Sequence, residues 1–302
     1  MRFADTLEFA WRVVRGYRSR TLLILLAMGI GVAAVVAVSS LGEGARLYVM
    51  SQFGSLGTHL VVVLPGRSET AGAMPGVLIG KTPRDLTIDD ALALRRSAAI
   101  RRLAPLIVGA GDVRAGARSR ETPVLGSSAE LMDIRHMDLA QGRFLPEGDP
   151  RHSQPVCVLG GKLAAELFGA RAALGEWLRI GDRRFRIVGV LAPQGESLGF
   201  NTDEIVIVPV AAAQALFNTE ALFLILVEAK SREQIAVAKA DIEEILRERH
   251  EGKRDVTVIT QDAVLATFDR ILRALTLAVG GLAGISLAVA GILIMNVMLI
   301  SV

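Results

Sequence analysis

Residues 222–260 are LFLILVEAKSREQIAVAKADIEEILRERHEGKRDVTVIT, and the spacing of their apolar residues changes twice. A run rich in Leu, Ile and Val comes first, a 3.6-residue apolar periodicity follows, and a second β-branched run ends the stretch. This order predicts a strand, a helix and another strand. The predicted helix has an apolar face made of Ile235, Ala238, Ile242, Ile245 and Leu246. Ser231 and Gln234 have the spacing of a capping box at its start.

A similar stretch lies far upstream in the chain. HLVVVLPG, residues 59–66, predicts a buried strand, and LTIDDALALRRSAAIRRLAPLIVGAGDVRAG, residues 86–116, predicts a helix and then another strand. Thr87 and Asp90 resemble a capping pair at the start of that helix. Two β-α-β units of similar size predict one split α/β plait, with halves at about 58–120 and 219–262.

The segment between the two halves, about 121–218, has strand signals of its own. They are PVCVLG at 155–160, WLRIGDRRFRIVGVLAP at 177–193 and DEIVIVPV at 203–210. Gly181-Asp182 interrupts the second signal and predicts a hairpin turn. A short helix, GKLAAELFG, lies among the strands and ends at Gly169 as its C-cap. The segment is therefore predicted to be a β-rich inserted subdomain.

Two uncharged apolar segments account for most of the hydrophobicity, Thr21 to Gly42 and Leu275 to Val302. Hydrophobic residues make up 51% of the chain and aromatic residues only 5%, so the excess is aliphatic. A bilayer core of about 30 Å needs roughly 20 helical residues, and each segment is that long. The fold class predicted is an α+β extracytoplasmic domain, 43–274, between two transmembrane α-helices, 21–42 and 275–302.

The orientation follows from the basic residues before the first segment. Residues 1–20 contain Arg2, Arg12, Arg15, Arg18 and Arg20, whereas only Arg46 follows the segment closely. The positive-inside rule therefore predicts a cytoplasmic N-terminus. Phe3, Leu7, Trp11 and Val14 share one helical face, which predicts an amphipathic lead helix along the inner leaflet. A cleaved signal peptide is the alternative, but the apolar stretch exceeds the usual 7–15-residue signal core.

Small residues recur at i, i+4 and i+8 in both apolar segments. The candidates for helix packing are Gly29, Ala33 and Ala37 in the first segment and Gly280, Gly284 and Ala288 in the second. Such spacing lets helix backbones approach closely, although Gly and Ala are common in membrane spans in any case. Asn296 is a further candidate, because an amide in hydrocarbon needs a partner on another helix. We expect that partner in another chain or in further sequence.

One motif suggests a hydrolase. GESLG at 195–199 fits G-x-S-x-G with Ser197 as nucleophile, and Asp203 and His250 follow in the Ser, Asp, His order. A nucleophile elbow needs a helix directly after the serine, whereas here GFNTDEIVIVPV leads into a strand. We therefore interpret the motif as a flexible loop between strands and expect no catalytic residue in this chain.

Metal, nucleotide and nucleic-acid sites are not indicated. His59, His136, His152 and His250 stand apart, as surface or loop histidines do, and the single Cys157 has no partner for a disulfide. Gly160, Gly161 and Lys162 resemble part of a P-loop, but Val156 stands where its first Gly is needed and Leu163 where a Ser or Thr is needed. The positive charge is concentrated in the arginine-rich lead, which indicates membrane topology, so no nucleic-acid partner is expected.

The ordered stretches together resemble the MacB/FtsX-type permeases of ABC transporters. They are SRTLLILLAMGIGVAAVVAV (19–38), GSLGTHLVVVLPG (54–66), LAQGRFL (139–145), LFGARAALGEWLRIGDRRFRIVGVL (167–191), DEIVIVPV (203–210) and ISLAVAGILIMNVMLISV (285–302). The resemblance covers nearly the whole chain in order. It implies a MacB-like periplasmic core domain in a bacterial cytoplasmic (inner) membrane protein, and a second helix that begins an FtsX-like permease domain.

The resemblance also implies a function and partners. A separate ABC ATPase subunit would bind the ATP, and its hydrolysis would drive a conformational change outside the cytoplasm, for export or efflux of a drug, peptide or lipoprotein. Expected partners are that subunit, a second permease chain in a homodimer or heterodimer, a periplasmic adaptor protein and membrane lipid. Such permeases usually continue beyond this point, so we expect the chain to be a fragment or the product of a truncated reading frame. The alternative is a two-span membrane sensor with an extracytoplasmic ligand-binding domain.

Overall fold

The computed structural model describes residues 18–54, 59–66, 84–169, 171–193, 196–197 and 200–300. The chain divides into two compact units, one with the bounds Met50–Val264 and the other with the bounds Met1–Val49 and Leu265–Val302. Most of the predicted lead helix, residues 1–17, lies outside the described residues. The boundaries predicted for the subdomains stay predictions.

The described residues form α-helices and strands in both halves of the chain. The helices are α1 (Arg18–Gly54), α2 (Ile88–Leu94), α3 (Leu131–Ile134), α4 (Gly161–Phe168), α5 (Val210–Phe217), α6 (Ile235–Arg249) and α7 (Gln261–Ile300), with a 3₁₀ helix at Thr202–Glu204. The first strands are β1 (Leu60–Pro65), β2 (Ile100–Ala115), β3 (Arg118–Ser127), β4 (Leu139–Gly142), β5 (Val156–Leu159) and β6 (Trp177–Ile180). The remaining strands are β7 (Arg183–Leu191), β8 (Glu196–Ser197), β9 (Phe200–Asn201), β10 (Val206–Pro209), β11 (Leu224–Ala229) and β12 (Val256–Thr260).

The two β-α-β units predicted from sequence form one sheet. The strands lie in the order β12-β1-β11-β2, and each neighbouring pair is antiparallel. Val61 on β1 lies opposite Val227 on one side and Thr260 on the other. Helices α2 and α6 supply the crossovers, as a split α/β plait requires. The predicted α+β fold class is confirmed.

Strand β2 joins this sheet to the rest of the unit. Its first half, up to Leu106, pairs with β11, and its second half, Ile107 to Ala115, pairs with β3. The sheet then continues through β10, β5, β7 and β4, with β6 paired to both β2 and β7. The inserted segment is therefore β-rich, as predicted, and it extends the same sheet by backbone hydrogen bonds.

Local signals in the inserted segment have the predicted geometry. Ile180 of β6 lies opposite Arg183 of β7, so the loop between them has two residues, and Gly181 has a φ of 58°. A positive φ at the first loop residue is what a type II′ turn requires. Helix α4 ends at Gly169, which also has a positive φ, 64°, and serves as its C-cap.

One predicted helix cap is confirmed and the other is wrong. Thr87 caps α2: its hydroxyl accepts from the Asp90 amide, and the Asp90 carboxylate accepts from the Thr87 amide at 3.0 Å. Helix α6 begins at Ile235 with Gln234 as N-cap and has no side-chain cap. The Ser231 hydroxyl instead donates to the Glu233 carboxylate at 2.6 Å. In a capping box Ser231 Oγ would accept from the Gln234 amide, but that amide donates to the Ser231 carbonyl oxygen at 3.2 Å, because the chain makes a separate turn before the helix begins.

The two faces of the sheet are covered unequally. One face packs against α2, α4, α5 and α6, including the predicted stripe of α6, in which Ala238, Ile242 and Leu246 are fully buried. Within the described residues, the opposite face packs against Ile205, against α3, which is about one helical turn long, and against residues 137–145. Several apolar side chains on that face, among them Val108, Leu125 and Leu224, are only partly buried.

The second unit consists of α1 and α7. Within the part of the chain that the structure describes, neither helix has an apolar stretch long enough to cross a membrane. The side chains of Thr21, Leu23 and Asn296, among others in the two apolar segments, lie outside the described residues. The two spans predicted from sequence, 21–42 and 275–302, stay predictions.

Candidate functional site

Helices α1 and α7 contact each other through small residues that differ from the predicted stripes. A methyl group at Gly31 would lie 3.6 Å from the Cβ of Ala283, and one at Gly42 would lie 3.2 Å from Leu272. Gly42 is buried. These positions bring the two backbones close together, as small residues do at helix crossings.

The predicted stripes lie on other faces of the same helices. Residues 29 and 31 are about 200° apart around a helix of 3.6 residues per turn, so Gly29 points away from the contact at Gly31. The predicted residues Gly29, Ala33, Ala37, Gly284 and Ala288 are exposed, and Gly280 is partly exposed. A Cβ at Gly29, Gly280 or Gly284 would meet no atom within 4 Å. It stays a prediction that the stripes pack against helices of other segments or chains.

A buried polar network connects the two halves of the plait. Asp90 lies in the first turn of α2 and is 1% exposed; its Oδ1 accepts from Arg249 Nε at 2.7 Å. His250, the C-cap of α6, is equally buried, and its Nδ1 donates to Asp255 Oδ1 at 2.5 Å. His250 Nε2 lies 3.5 Å from Asp90 Oδ2. The network therefore joins side chains separated by up to 165 positions in sequence, Asp90 to Asp255.

The prediction that His250 is a surface or loop histidine is wrong. The backbone turns sharply after α6, where Glu251 and Gly252 both have positive φ, 56° and 80°. This turn brings Asp255 back against the imidazole ring. The spacing of five residues between His250 and Asp255 is no known motif, so the sequence carried no signal for the pair. His59 is partly buried, and His136 and His152 are exposed, as predicted.

Electrostatics favour the ionised form of Asp90. Burial raises its pKa, but hydrogen bonds from Arg249 and Thr87 outweigh burial and hold the pKa below the ordinary value of 3.8. A carboxylate whose pKa is depressed by folding contributes stability above its unfolded pKa and loses that contribution as the pH falls through the folded value. The network is therefore stabilising at neutral pH and weakens in acid.

The lowered pKa of Asp90 leads to a prediction about stability in acid. In Asp90→Asn the residue cannot ionise, so the free energy of unfolding should fall less steeply than in the wild type as the pH drops below 3.8. Urea unfolding of residues 50–264 at a series of pH values measures both slopes. Equal slopes in the two proteins would show that Asp90 does not contribute to acid sensitivity.

A second network lies on the inserted segment. Arg120 of β3 pairs with Glu166 of α4 and with Glu204 of the 3₁₀ helix, and Lys162 of α4 also pairs with Glu204. The hydrogen bond with Glu166 raises the pKa of Arg120, and the hydrogen bond to Glu204 raises that of Lys162. The hydrogen bond from Lys162 in turn lowers the pKa of Glu204. Lys162, which resembles a P-loop lysine in sequence, thus forms an ion pair with the Glu204 carboxylate.

The described residues of the hydrolase motif, Glu196 and Ser197, lie in a strand. Glu196 and Ser197 form β8, which pairs with β9, so that Ser197 lies opposite Phe200 in a tight hairpin. Gly195, Leu198 and Gly199 lie outside the described residues. His250 is bonded to Asp255 in the plait, and Asp203 lies in the 3₁₀ helix of the inserted segment. Over the described ranges, no three His, Cys, Asp or Glu side chains are grouped as metal ligands.

With this geometry in place, comparisons with known proteins decide the family. The sequence model of the MacB-like periplasmic core domain matches residues 21–245, about three quarters of the chain. This chain belongs to the MacB-like periplasmic core domain family. It resembles the periplasmic region of MacB from Actinobacillus actinomycetemcomitans with a TM-score of 0.62 and 21% identity, over 74% of this chain and 98% of that one. The extracellular domain of the transporter YknZ from Gram-positive bacteria gives 0.55 and 20%, over 67% of this chain and 100% of that one.

Curated relatives cover almost the whole chain. The pyoverdine export ATP-binding/permease protein PvdT of Pseudomonas entomophila (strain L48) is 34% identical over 301 residues, which are 99% of this chain and 45% of that protein. PvdT of Pseudomonas aeruginosa (strain PAO1) is 30% identical over 300 residues, 99% of this chain and 44% of that protein. The MacB-like chain thus spans less than half the length of these relatives.

Proposed function

We propose that this chain supplies the extracytoplasmic domain and two membrane helices of an ABC transporter permease. Its likeness to export permeases across 99% of its length is the observation that carries the proposal. Membership of the MacB-like periplasmic core domain family supports an extracytoplasmic position for the plait. The uncharged segments 21–42 and 275–302 support helices that cross the cytoplasmic membrane, with the N-terminus inside.

The proposed mechanism is mechanical. An ATPase subunit hydrolyses ATP in the cytoplasm, and the membrane helices transmit its movement to the extracytoplasmic domain. The buried Asp90–His250–Asp255 network and the continuous strand β2 support this role, because they make the domain a stiff body that can be moved as a whole. The exposed small-residue stripes of α1 and α7 then contact further helices of the same or a second permease chain.

Isolation from the source cell tests the proposal. A purification tag placed before Met1 in the cell's own gene, followed by extraction in mild detergent, should bring down an ABC ATPase subunit and ATP hydrolysis that vanadate inhibits. The purified chain by itself should hydrolyse neither ATP nor ester substrates.

Two results would contradict the proposal. ATP or ester hydrolysis by the purified chain alone would place catalysis in this chain and not in a separate ATPase subunit. Isolation of a histidine kinase or a methyl-accepting module in place of the ATPase would support the two-span sensor. The matched control is an unrelated two-span membrane protein that carries the same tag. It should bring down neither the ABC ATPase nor a signalling module.

A further inference from the structure

Strands β2, β6 and β7 carry a row of three arginines on one face of the sheet. Arg179 of β6 lies directly opposite Arg114 of β2 on one side and opposite Arg184 of β7 on the other. Two residues along the same strands, Trp177 of β6 lies opposite Arg186 of β7. Opposed residues and residues two apart share a face, and all five side chains are exposed. We call this surface the arginine face.

Buried neighbours fix this arrangement. Val113, Leu178 and Phe185 alternate with the arginines along the three strands and point to the opposite face, where they are buried in the core. A shift of one residue would expose them, so the register that buries these side chains also places the arginines side by side. The arginine face is therefore a fixed array whose spacing is set by the strands.

The array places like charges next to each other. Directly opposite residues of antiparallel strands have Cβ atoms about 4.5–5.5 Å apart, and like charges at this spacing destabilise a sheet. Asp112 pairs with Arg114 at 2.7 Å. Within the described residues, Arg179, Arg184 and Arg186 form no ion pair. The Nε atoms of Arg179 and Arg186 donate to backbone carbonyl oxygens instead, at 3.0 and 3.4 Å.

The acids near the hairpin do not compensate these charges. Glu176 and Asp182 lie beside it in sequence, and Glu121 lies on the neighbouring strand β3. Over the described ranges, none of the three pairs with an arginine of the face. Elsewhere in the unit, Arg102 and Arg120 each lie between two carboxylates. The arginine face therefore combines adjacent cations with too few anions, a cost that an anionic partner would remove.

Trp177 adds an aromatic ring to the face. It is 56% exposed, although burial of a ring of this size would contribute strongly to folding. Trp and Arg are among the residues most enriched at the energetic centres of protein interfaces. A guanidinium offers two parallel donors to a carboxylate, and guanidinium groups repeated at close spacing match carboxylates repeated along one chain. This composition favours an acidic polypeptide as the partner.

The arginine face lies far from the points where the chain leaves the sheet for α1 and α7. Leu60 starts β1, and Thr260 ends β12. Both lie at the end of the plait where β2 begins, because Leu60 lies opposite Glu228 and Glu228 lies opposite Arg102. From Arg102 to Arg114, β2 extends for about 40 Å. With α1 and α7 in the membrane, as proposed above, this separation favours a soluble partner over the bilayer.

We propose that the arginine face docks an acidic segment of a partner protein. Its carboxylates pair with Arg114, Arg179 and Arg184, and an apolar side chain of the segment packs on Trp177. The choice of a protein over a lipid surface or a nucleic acid rests on the proposed function. Peptide binding needs no ATPase, so the test below and the isolation of an ATPase subunit can fail independently.

Tryptophan fluorescence of the full chain in an uncharged detergent tests the proposal. The chain has two tryptophans, so the variant Trp11→Phe leaves Trp177 as the reporter on the face. The probe is a synthetic glutamate-rich peptide that contains leucines, and its analogue with glutamine in place of glutamate is the uncharged control. We expect saturable binding of the acidic peptide with a blue shift of the Trp177 emission. The glutamine analogue should bind at least tenfold more weakly.

The test variant combines Arg179→Gln with Arg184→Gln in the same background. Affinity for the acidic peptide should fall at least tenfold. The matched control combines Arg96→Gln with Arg254→Gln, two exposed arginines of the plait. It loses the same net charge and should bind within twofold of the parent protein. The comparison therefore separates the arrangement of the arginines from the charge of the whole chain.

A thermal unfolding curve shows whether the test variant is folded. Because the two substitutions remove adjacent like charges, its midpoint should equal or exceed that of the parent protein. An unchanged Trp177 emission, equal affinity for the glutamine analogue, or equal losses in the test and control variants would each overturn the proposal. Tighter binding of oligothymidylate than of the peptide would overturn it in favour of a nucleic acid. The same spectral shift on adding phosphatidylglycerol to the micelles would overturn it in favour of a lipid surface.

Discussion

Asp90→Ala is expected to lower the free energy of unfolding of residues 50–264 by about 1.5–3 kcal/mol, because it removes the charge-assisted hydrogen bonds of a buried carboxylate, whose partner Arg249 is 33% exposed and keeps water. Asp90 accepts hydrogen bonds from Arg249 and Thr87 and is 1% exposed, so water cannot replace it. The same change also removes the capping box of α2. Urea unfolding at neutral pH measures the loss.

The neighbouring residue provides the control. Asp89 also lies in the first turn of α2 and pairs with Arg151, but both side chains are more than half exposed. Asp89→Ala should therefore unfold close to the wild type, since exposed ion pairs contribute little. A loss below about 1 kcal/mol in Asp90→Ala would mean that the network does not hold the plait halves together.

Gly160→Ala is expected to destabilise the same unit by about 1–3 kcal/mol through overpacking. Gly160 is the N-cap of α4 with an ordinary φ of −65°, so an alanine there meets no conformational restriction. Its Cβ would instead collide with the backbone carbonyl groups of Thr202 and Asp203. The 3₁₀ helix would have to move, and with it Glu204, which pairs with Lys162 and Arg120.

A second variant at the adjacent glycine, Gly161→Ala, distinguishes the effect of this collision from the effect of helix propensity. A Cβ at Gly161 would lie 3.1 Å from the Leu191 carbonyl oxygen, a tight contact that a small shift relieves. Alanine also favours the helix by about 1 kcal/mol relative to glycine, so Gly161→Ala should stay within about 1 kcal/mol of the wild type. Thermal or urea unfolding of both variants gives the comparison, and equal stability of the two would contradict the steric account.

The plait could be predicted from sequence because its signals are local. Alternating and helical periodicities identified both β-α-β units, and Thr87 with Asp90 marked the start of α2. The exact start of a helix is harder to foresee: the Gln234 amide donates to the Ser231 carbonyl oxygen in a separate turn, and Gln234 becomes the N-cap of α6. Sequence spacing cannot show that outcome, because the same residues fit a turn and a capping box.

The polar networks depend on contacts between distant segments, which no local pattern records. Asp90 and Arg249 are 159 residues apart, and Arg120 and Glu204 are 84 apart. Periodicity likewise identified small residues in α1 and α7, but it did not identify Gly31 and Gly42 as the contact between them.

Strand β2 has a consequence for how the extracytoplasmic unit bears load. At about 3.4 Å per residue, its 16 residues form a beam of roughly 50 Å that is anchored to β11 at one end and to β3 at the other. A force applied to the plait is transmitted into the inserted segment along the covalent backbone of β2. Displacing the two parts relative to each other along the strand would require many backbone hydrogen bonds to break at once. Inside this unit, one uninterrupted strand therefore connects the plait directly to the inserted segment.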